Sequence, residues 1–319
     1  MLKGITREIR GKIAPISLNR DDVFITCASF EDRTTAAVEK FDERYCVTDA
    51  VIFKYDEKNR TNLRDLNFEK LSSILREHST HLFPIICDHH DPLDGIYKFV
   101  NLCKRAPIEL KNRNVTIDIT TFTKQYLLVL FKSIEKEEPR SVRLIYTEPE
   151  DYAVKWKKPL SYGLIDIVTV PTYGGNFYSD KENLLVLLLG YEGNRAYATW
   201  EKQSPHRTIV LVGKPSFKES WDGRVEEFNK ALLLKLPKES VHYIPTLNPF
   251  EVARCLDDLI EEYKHDFNIA ISTLGPKPQV VGSYLSLRKH PYVQAIYAIP
   301  KSHEEEYFSK KVGRTWEYR

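Results

Sequence analysis

Two short segments, one in each half of the chain, place a carboxylate close to an arginine just after an apolar run. Glu31 stands two residues before Arg33, and Glu192 stands three residues before Arg195. A carboxylate can act as a general acid or base, and an arginine can stabilise the charge that develops on a phosphate. With Asp118, which lies in another apolar run, Glu31 and Glu192 are therefore the candidate catalytic residues if the chain is an enzyme.

Two turns rich in hydroxyl groups, each with a lysine, form a second repeated pattern. Residues 120–124 read Thr-Thr-Phe-Thr-Lys, and residues 272–277 read Ser-Thr-Leu-Gly-Pro-Lys. Hydroxyls, turn amides, lysine and arginine are the groups that bind phosphate. Any one of these residues could instead cap a helix or be solvated, so the repetition is what favours a ligand site. The candidate ligand-binding residues are Ser29, Phe30, Arg33, Thr120, Thr121, Phe122, Thr123, Lys124, Tyr191, Arg195, Ser272, Thr273, Gly275 and Lys277.

The elements that must position these residues alternate between strand and helix along the chain. Short β-branched or aromatic runs predict the strands, and apolar residues at helical spacing predict the helices. Near-continuous apolar strands separated by helices are typical of a parallel sheet that is covered on both faces. The predicted strands are 22–28, 49–54, 83–87, 115–119, 142–147, 164–170, 184–189, 208–212, 241–244, 267–271 and 293–298; the predicted helices are 33–43, 63–77, 93–105, 123–136, 194–202, 222–233, 249–264 and 277–288.

The polar segments recur in the same order in both halves, which indicates an internal duplication. We predict an α/β fold of two tandem Rossmann-like domains with mainly parallel sheets and pseudo-twofold symmetry. The domains are residues 1–150 and 184–319, the second with an aromatic tail from residue 302, and the proline- and glycine-rich stretch 151–183 is the connector. Ligands of open α/β sheets bind beyond the carboxyl ends of the strands, so we expect the loops of both domains to face one composite cleft.

Composition limits the classes of function. The chain has 319 residues with 42% apolar residues, which is enough for two cores, and a net charge of +2 gives no strong signal for duplex nucleic acid. No apolar run is long enough for a membrane span, and the start lacks a signal-peptide core, so we expect a cytoplasmic protein without a membrane partner. The five cysteines have no Cys-x-x-Cys spacing and are expected to be reduced. No cofactor is predicted.

The segment Ile117-Asp118-Ile119-Thr120-Thr121-Phe122-Thr123-Lys124 resembles the fourth-strand motif of the CRISPR-associated Rossmann-fold (CARF) nucleotide sensors. Two such units in one chain resemble the SAVED sensor domains of bacterial antiphage systems. The resemblance implies recognition of a cyclic nucleotide or a short oligoadenylate. The family's usual paired glycines are replaced by Thr121-Phe122, which suggests that a base stacks on the Phe122 ring. In the second copy, Ala270 replaces the aspartate, and Gly275-Pro276 is inserted.

A competing pattern is the strand end Cys87-Asp88-His89-His90, which resembles the name-giving motif of DHH phosphoesterases. In that family, histidines and carboxylates hold divalent metals for phosphodiester hydrolysis. The first strand here ends in Cys27-Ala28-Ser29 and lacks the family's Asp-x-Asp element. We therefore expect a polar loop that leads into a helix start at Asp91-Pro92, and no metal site.

Three functions remain open from the sequence. The first is a sensor that binds a nucleotide or cyclic oligonucleotide in antiphage defence; because the chain shows no nuclease, protease or transmembrane segment, its expected partner is an effector protein encoded separately. The second is an enzyme acting on a nucleotide or phosphodiester through Glu31, Asp118 or Glu192. The third is a protein-interaction subunit of a larger complex, for which the aromatic tail would be a contact surface.

Overall fold

The computed structural model describes residues 2–16, 21–56, 62–105, 108–152, 160–303, 305 and 308–319. The strands are β1 Thr6–Ile9, β2 Asp21–Ala28, β3 Val47–Asp56, β4 Ser79–Asp88, β5 Asn114–Asp118, β6 Ser141–Tyr152, β7 Ser161–Thr169, β8 Glu182–Leu189, β9 Arg207–Gly213, β10 Val241–Ile244, β11 Phe267–Thr273, β12 Gln294–His303 and β13 Ser309–Tyr318. The α-helices are α1 Leu63–His78, α2 Pro92–Arg105, α3 Lys124–Lys136, α4 Gly193–Gln203, α5 Arg224–Phe228, α6 Lys230–Leu233, α7 Pro249–Tyr263 and α8 Lys277–Lys289. None of these helices is long and apolar enough to cross a membrane.

The chain forms two compact units, Met1–Ala153 with Glu305–Arg319, and Val154–Glu304. The first unit has a seven-stranded sheet in the order β1-β13-β6-β5-β2-β3-β4. Its strands from β6 to β4 are parallel, and β13 and β1 are antiparallel additions at one edge. The second unit has a six-stranded sheet in the order β10-β9-β8-β11-β12-β7, in which only β7 is antiparallel to its neighbour.

The two sheets have the same strand order, which confirms the prediction of two Rossmann-like α/β units. The order β13-β6-β5-β2-β3-β4 in the first unit corresponds to β7-β12-β11-β8-β9-β10 in the second. The antiparallel edge strands are exchanged along the chain. β7 follows β6 in sequence but pairs with β12, whereas β13 follows β12 and pairs with β6. In the sequence, the antiparallel edge strand of each sheet therefore comes directly after the last parallel strand of the other sheet.

Burial explains why the central strands form as the apolar runs predict. In β8, every residue from Leu184 to Leu189 is 1% exposed or less, as expected for a parallel strand that is covered on both faces. Helix α7 begins where the sequence indicates. The side chain of Asn248 accepts hydrogen bonds from the backbone of Phe250 and Glu251, and Pro249 occupies the first turn, where its missing N–H costs nothing.

Two predicted helices differ from the structure. The predicted helix 33–43 is two short 3₁₀ turns, Asp32–Thr35 and Val38–Lys40. In the first turn the Thr34 hydroxyl donates to the carbonyl of Ser29, a local side-chain bond of the kind that competes with a regular helix. The predicted helix 222–233 is interrupted between α5 and α6 at Asn229. The Asn229 side chain donates to the carbonyls of Gly190 and Val225, which fixes the break.

The aromatic tail belongs to the first unit, whereas the sequence pattern places it with the second domain. In β13, Tyr318 is fully buried, and the Trp316 indole donates to Glu148 Oε1 at 2.5 Å. Glu317 lies 3.7 Å from the buried Arg143 and 3.2 Å from Arg7, which joins β13 to the strands on either side of it. Both edge strands are rich in charged residues and have few buried ones: Ile9 is the one buried residue of β1, and in β13 the residues from 310 to 314 are not buried.

Candidate functional site

The candidate residues of each unit follow the carboxyl ends of equivalent strands. Glu31 follows β2 and Glu192 follows β8, the first strand of each repeat. The hydroxyl-rich turns follow β5 and end β11, and both lead into a helix of thirteen residues. These turns and helix starts are the positions at which parallel α/β sheets expose backbone N–H groups.

In the first unit, Glu31 and Arg33 form a buried ion pair, and their side chains are 5% and 4% exposed. Arg33 donates to Glu31 Oε2 through Nε at 3.1 Å and through Nη2, and it donates through Nη1 to the carbonyl of Thr147 in β6 at 2.8 Å. The hydroxyl of Ser309, the first residue of β13, donates to the same carboxylate oxygen. Burial lowers the pKa of Arg33, but the charge and hydrogen bond of Glu31, together with the nearby Tyr146 and Tyr152, outweigh burial and raise this pKa above its ordinary value.

The second unit repeats this arrangement residue by residue, although different atoms make the bonds. Arg195 Nη1 donates to Glu192 Oε2 at 2.6 Å, and Nη2 donates to the carbonyl of Ala298 in β12. The hydroxyl of Ser161, the first residue of β7, donates to Glu192 Oε1 at 2.6 Å. The repeated Glu–Arg motif thus ties a strand end to an antiparallel edge strand in each unit. Its charges are compensated within the protein.

The hydroxyl groups of the turns are mostly engaged inside their units. Thr120 donates to Asp118 Oδ1 at 2.5 Å and accepts from the Thr147 N–H at 3.1 Å. Thr121 donates to the Cys27 carbonyl at 2.5 Å. In the second unit, Thr273 shares a hydrogen bond of 2.8 Å with the Ser283 hydroxyl. These threonines are at most 6% exposed, and they hold the strand ends together.

The aromatic candidates also pack within their units. Phe122 is fully buried, with its ring centroid 5.3 Å from that of Phe53. The prediction that a base stacks on this ring is therefore wrong for this structure, because the ring is part of the hydrophobic core. Phe30 packs edge-on against Phe308 at 5.4 Å. Tyr191 lies 5.5 Å from Phe228, and burial raises the pKa of its phenol to about 12.

Lys124 and Lys277 occupy equivalent positions at the first residue of α3 and α8, and both are partly exposed. Neither helix has an acidic residue in its first turn, and neither N-cap residue, Thr123 or Pro276, bonds to that turn through its side chain. The positive end of the helix dipole and the lysine charge both attract an anion, so each helix start favours anion binding. Gly275, beside the second helix start, has no room for a Cβ because Gln279 Oε1 would lie 1.8 Å from it.

Two equivalent glutamines are functional candidates that the sequence pattern did not single out. Gln125 Nε2 donates to the His90 carbonyl at 3.1 Å, and Gln279 Nε2 donates to the Pro245 carbonyl at 3.5 Å. Both side chains are at most 2% exposed, and neither Oε1 atom accepts a hydrogen bond from a described residue. An unsatisfied buried acceptor costs about 1–3 kcal/mol, so its recurrence at the start of α3 and α8 makes both glutamines candidates.

The same turns contain further polar groups without partners. The Thr123 hydroxyl in the first unit and the Ser272 hydroxyl in the second are buried and make no hydrogen bond within the described part of the chain. Two asparagines, also unnoticed in the sequence, support the turns: Asn67 donates to the Ser29 carbonyl at 2.8 Å, and Asn229 donates to the Gly190 carbonyl at 2.8 Å. Their recurrence shows that the duplication extends beyond the segments that match in sequence.

The Asp88-His89-His90 segment forms a loop that is held by its own hydrogen bonds and by a ring contact. Asp88 Oδ1 accepts hydrogen bonds from the N–H groups of His90 and Asp91 at 2.7 and 3.3 Å, and the His89 ring packs 4.7 Å from that of Tyr55. Among the residues that the structure describes, no three His, Cys, Asp or Glu side chains are grouped so that they could hold a metal ion.

No family model matches the chain, and no curated protein matches it in sequence. Its fold is similar to that of a type III CRISPR defence DNA nuclease activated by cyclic oligoadenylate, with a TM-score of 0.50 and 10% identity. The match covers 86% of this chain and 65% of the nuclease, so the chain spans about two thirds of that protein. A weaker match, to the cytoplasmic domain of a prokaryotic cation chloride cotransporter, has a TM-score of 0.30 and 10% identity and covers 90% of this chain and 98% of that one. The first of these similarities shows a shared α/β fold over most of this chain.

Proposed function

We propose that the protein is a sensor module that binds a nucleotide or cyclic oligonucleotide at the carboxyl edges of its sheets. The observation that carries the proposal is the repeated helix start. Lys124 and Lys277 each stand at the first turn of a thirteen-residue helix without an acidic residue in that turn. The fold similarity to a nuclease activated by cyclic oligoadenylate supports a ligand of this class and a role in antiphage defence. An effector encoded separately is part of the same proposal.

Catalysis by the candidate carboxylates is disfavoured by their surroundings. Glu31 and Glu192 are neutralised by arginines and bonded to serines, and Asp118 is 1% exposed and bonded to Thr120. A general acid or base must reach the proton that it transfers. The interaction-subunit alternative loses its main support, because Trp316 and Tyr318 of the tail pack within the first unit.

The test uses calorimetry with a ring-size series of cyclic oligoadenylates and the variants Lys124→Ala and Lys277→Ala. Loss of a charged hydrogen bond to phosphate should weaken binding by about 1.5–3 kcal/mol, or roughly 10- to 150-fold. Matched controls are Lys136→Ala and Lys289→Ala, which remove a lysine from the opposite end of each helix and should leave Kd unchanged. Equal affinities for all five proteins would exclude the helix starts from the site.

Chromatography of the incubated ligand separates sensor from enzyme. A sensor leaves the ligand intact. Turnover by the wild-type protein that is lost in Glu31→Gln or Glu192→Gln, with both variants folded, would replace the sensor proposal with the enzyme.

A further inference from the structure

At the opposite edge of the six-stranded sheet, the connection between β7 and β8, residues 170–181, is fixed across the amino ends of the strands. The Val170 N–H donates to the Ala295 carbonyl at 2.8 Å, and the Asn176 N–H donates to the Tyr292 carbonyl at 2.8 Å. Gly175 has a φ of 63°, and a Cβ there would lie 2.7 Å from the Gln294 nitrogen. The connection is thus held close to the sheet in a conformation that requires glycine.

Asn268 in β11 anchors the same connection with its side chain. Its Oδ1 accepts from the Tyr178 N–H at 2.8 Å, and its Nδ2 donates to the carbonyls of Tyr178 and Lys181 at 2.8 and 3.2 Å. These bonds use both ends of the amide. The connection and the sheet below it therefore form a preorganised wall.

A cavity of about 220 Å³ lies between the connection, the starts of β8 and β11, and the end of α4. Its lining contains no charged residue, and its polar side chains are amides, among them Asn183, Gln203 and Gln294. The side chain of Gln203 makes no hydrogen bond to another described residue, and the side chain of Gln294 uses Nε2 on Thr169 and leaves its Oε1 without a described donor. Phe177, 73% exposed, also lines the cavity and provides an aromatic face. Free amides beside an exposed ring suit a neutral planar heterocycle with both donors and acceptors.

A second cavity of about 270 Å³ adjoins the first and shares Asn176, Asn268 and Ile269 with it. Its lining includes Lys181 and Lys264, and Lys264 is paired with Glu261, so Lys181 supplies the positive charge. Lys181 donates to the Lys264 carbonyl at 2.7 Å and lies 4.9 Å from the centroid of the Tyr178 ring, and it makes no ion pair with a described carboxylate. Its charge remains available to an anion.

We infer that this amino edge carries a second ligand site, for a nucleoside monophosphate, with the base in the amide-lined cavity and the phosphate at Lys181. Together the two cavities reach the roughly 300–1,000 Å³ of small-molecule sites. The site is separate from the proposed carboxyl-edge sites, because Lys277 follows the other end of β11. The first unit has no described counterpart of the 170–181 connection, so the site belongs to one repeat only.

The test is calorimetry or saturation-transfer NMR on the full chain, with AMP, GMP, CMP and UMP and their nucleosides as probes. Ala270→Leu, which fills the amide-lined cavity, should weaken the preferred monophosphate at least 10-fold. Because that change is partly in the core, Gln203→Ala at the end of α4 provides a second variant with the same expected direction.

The charge is tested with Lys181→Met, which keeps the aliphatic stem. It should reduce monophosphate affinity about 10-fold, to that of the nucleoside, and leave nucleoside affinity unchanged; Lys202→Met is the control for loss of an exposed lysine in the same unit. Lys277→Ala should not alter binding at this edge. Absence of any binding up to a Kd of about 1 mM, or binding that none of Ala270→Leu, Gln203→Ala and Lys181→Met weakens, would overturn the inference.

Discussion

Replacing Glu31 with glutamine tests whether the repeated carboxylates are structural. The substitution preserves the shape of the side chain but removes the charge that faces Arg33, which is 4% exposed. Arg33 would keep its bond to the Thr147 carbonyl at 2.8 Å but would lose the carboxylate that accepts from Nε and Nη2. Breaking a buried ion pair by removing one partner costs about 3–5 kcal/mol. Since the glutamine carbonyl can still accept one bond, we expect the lower end, about 3 kcal/mol.

Urea unfolding measures this loss. With a slope of about 2 kcal/mol per M, the midpoint of the first unit's transition should fall by about 1.5 M. Ser309→Ala removes only the hydroxyl bond from β13 and should cost about 1.5–3 kcal/mol. The two changes share one carboxylate, so the double variant should be less destabilised than the sum of the single variants.

Two comparisons make the result specific. Glu192→Gln breaks the equivalent pair with Arg195 and should destabilise the second unit by a similar amount. Glu39→Gln removes the partner of Lys70 in an ion pair whose side chains are 42% and 58% exposed, and it should change stability by less than about 1 kcal/mol. A Glu31→Gln protein that unfolds at the wild-type midpoint would refute the structural role and return this carboxylate to the candidate catalytic residues.

Three further outcomes are expected. Gly175→Ala should destabilise the second unit by about 2–4 kcal/mol in thermal unfolding, because it combines a positive φ with contact to backbone atoms, whereas Gly174→Ala, with open space around its Cβ, should be nearly neutral. Asn229→Ala should cost about 2–3 kcal/mol through two lost hydrogen bonds; an unchanged urea midpoint would contradict the support that we assign to this side chain. A thiol reagent at neutral pH should modify the exposed Cys46 first and leave Cys87 unmodified, because burial raises the pKa of Cys87 to about 11; equal rates would show that the core opens readily.

The sequence was sufficient to predict the central strands, because a strand that is buried on both faces is a continuous run of apolar residues. Runs such as 184–189 are apolar at every position, whereas in the intervening helices apolar residues recur with a period of about 3.6 residues. Strand and helix can therefore be distinguished without tertiary information. The antiparallel edge strands β1 and β13 have a weaker pattern of apolar residues. In β1 only Ile9 is buried, and residues 310–314 of β13 are not buried, so neither strand shows an apolar run, and the two strands that pair lie far apart in sequence.

The chemistry of the candidate residues could not be predicted, because it depends on where side chains point at the strand ends. Glu31 and Arg33 have the composition of a catalytic pair, and only the positions of Ser309 and the Thr147 carbonyl show that they are bonded internally. Gln125 and Gln279 show the reverse case. A glutamine near a helix start has no distinctive spacing, and only its burial and its unbonded oxygen mark it as a candidate.

The exchanged edge strands have a consequence for biosynthesis. Domains usually fold in the order in which the ribosome makes them. The sheet of the second unit has all its strands once residue 303 has emerged. In the first unit, β6 is paired with β5 on one side only, and β1 has no partner strand, until β13 has been made. At about 5–20 residues per second, the edge of β6 stays open for roughly ten to thirty seconds after its own synthesis. The sheet of the first unit, most of which is translated first, is thus the last to be completed, and during that interval the open edge of β6 presents unpaired N–H and C=O groups with which another chain could pair.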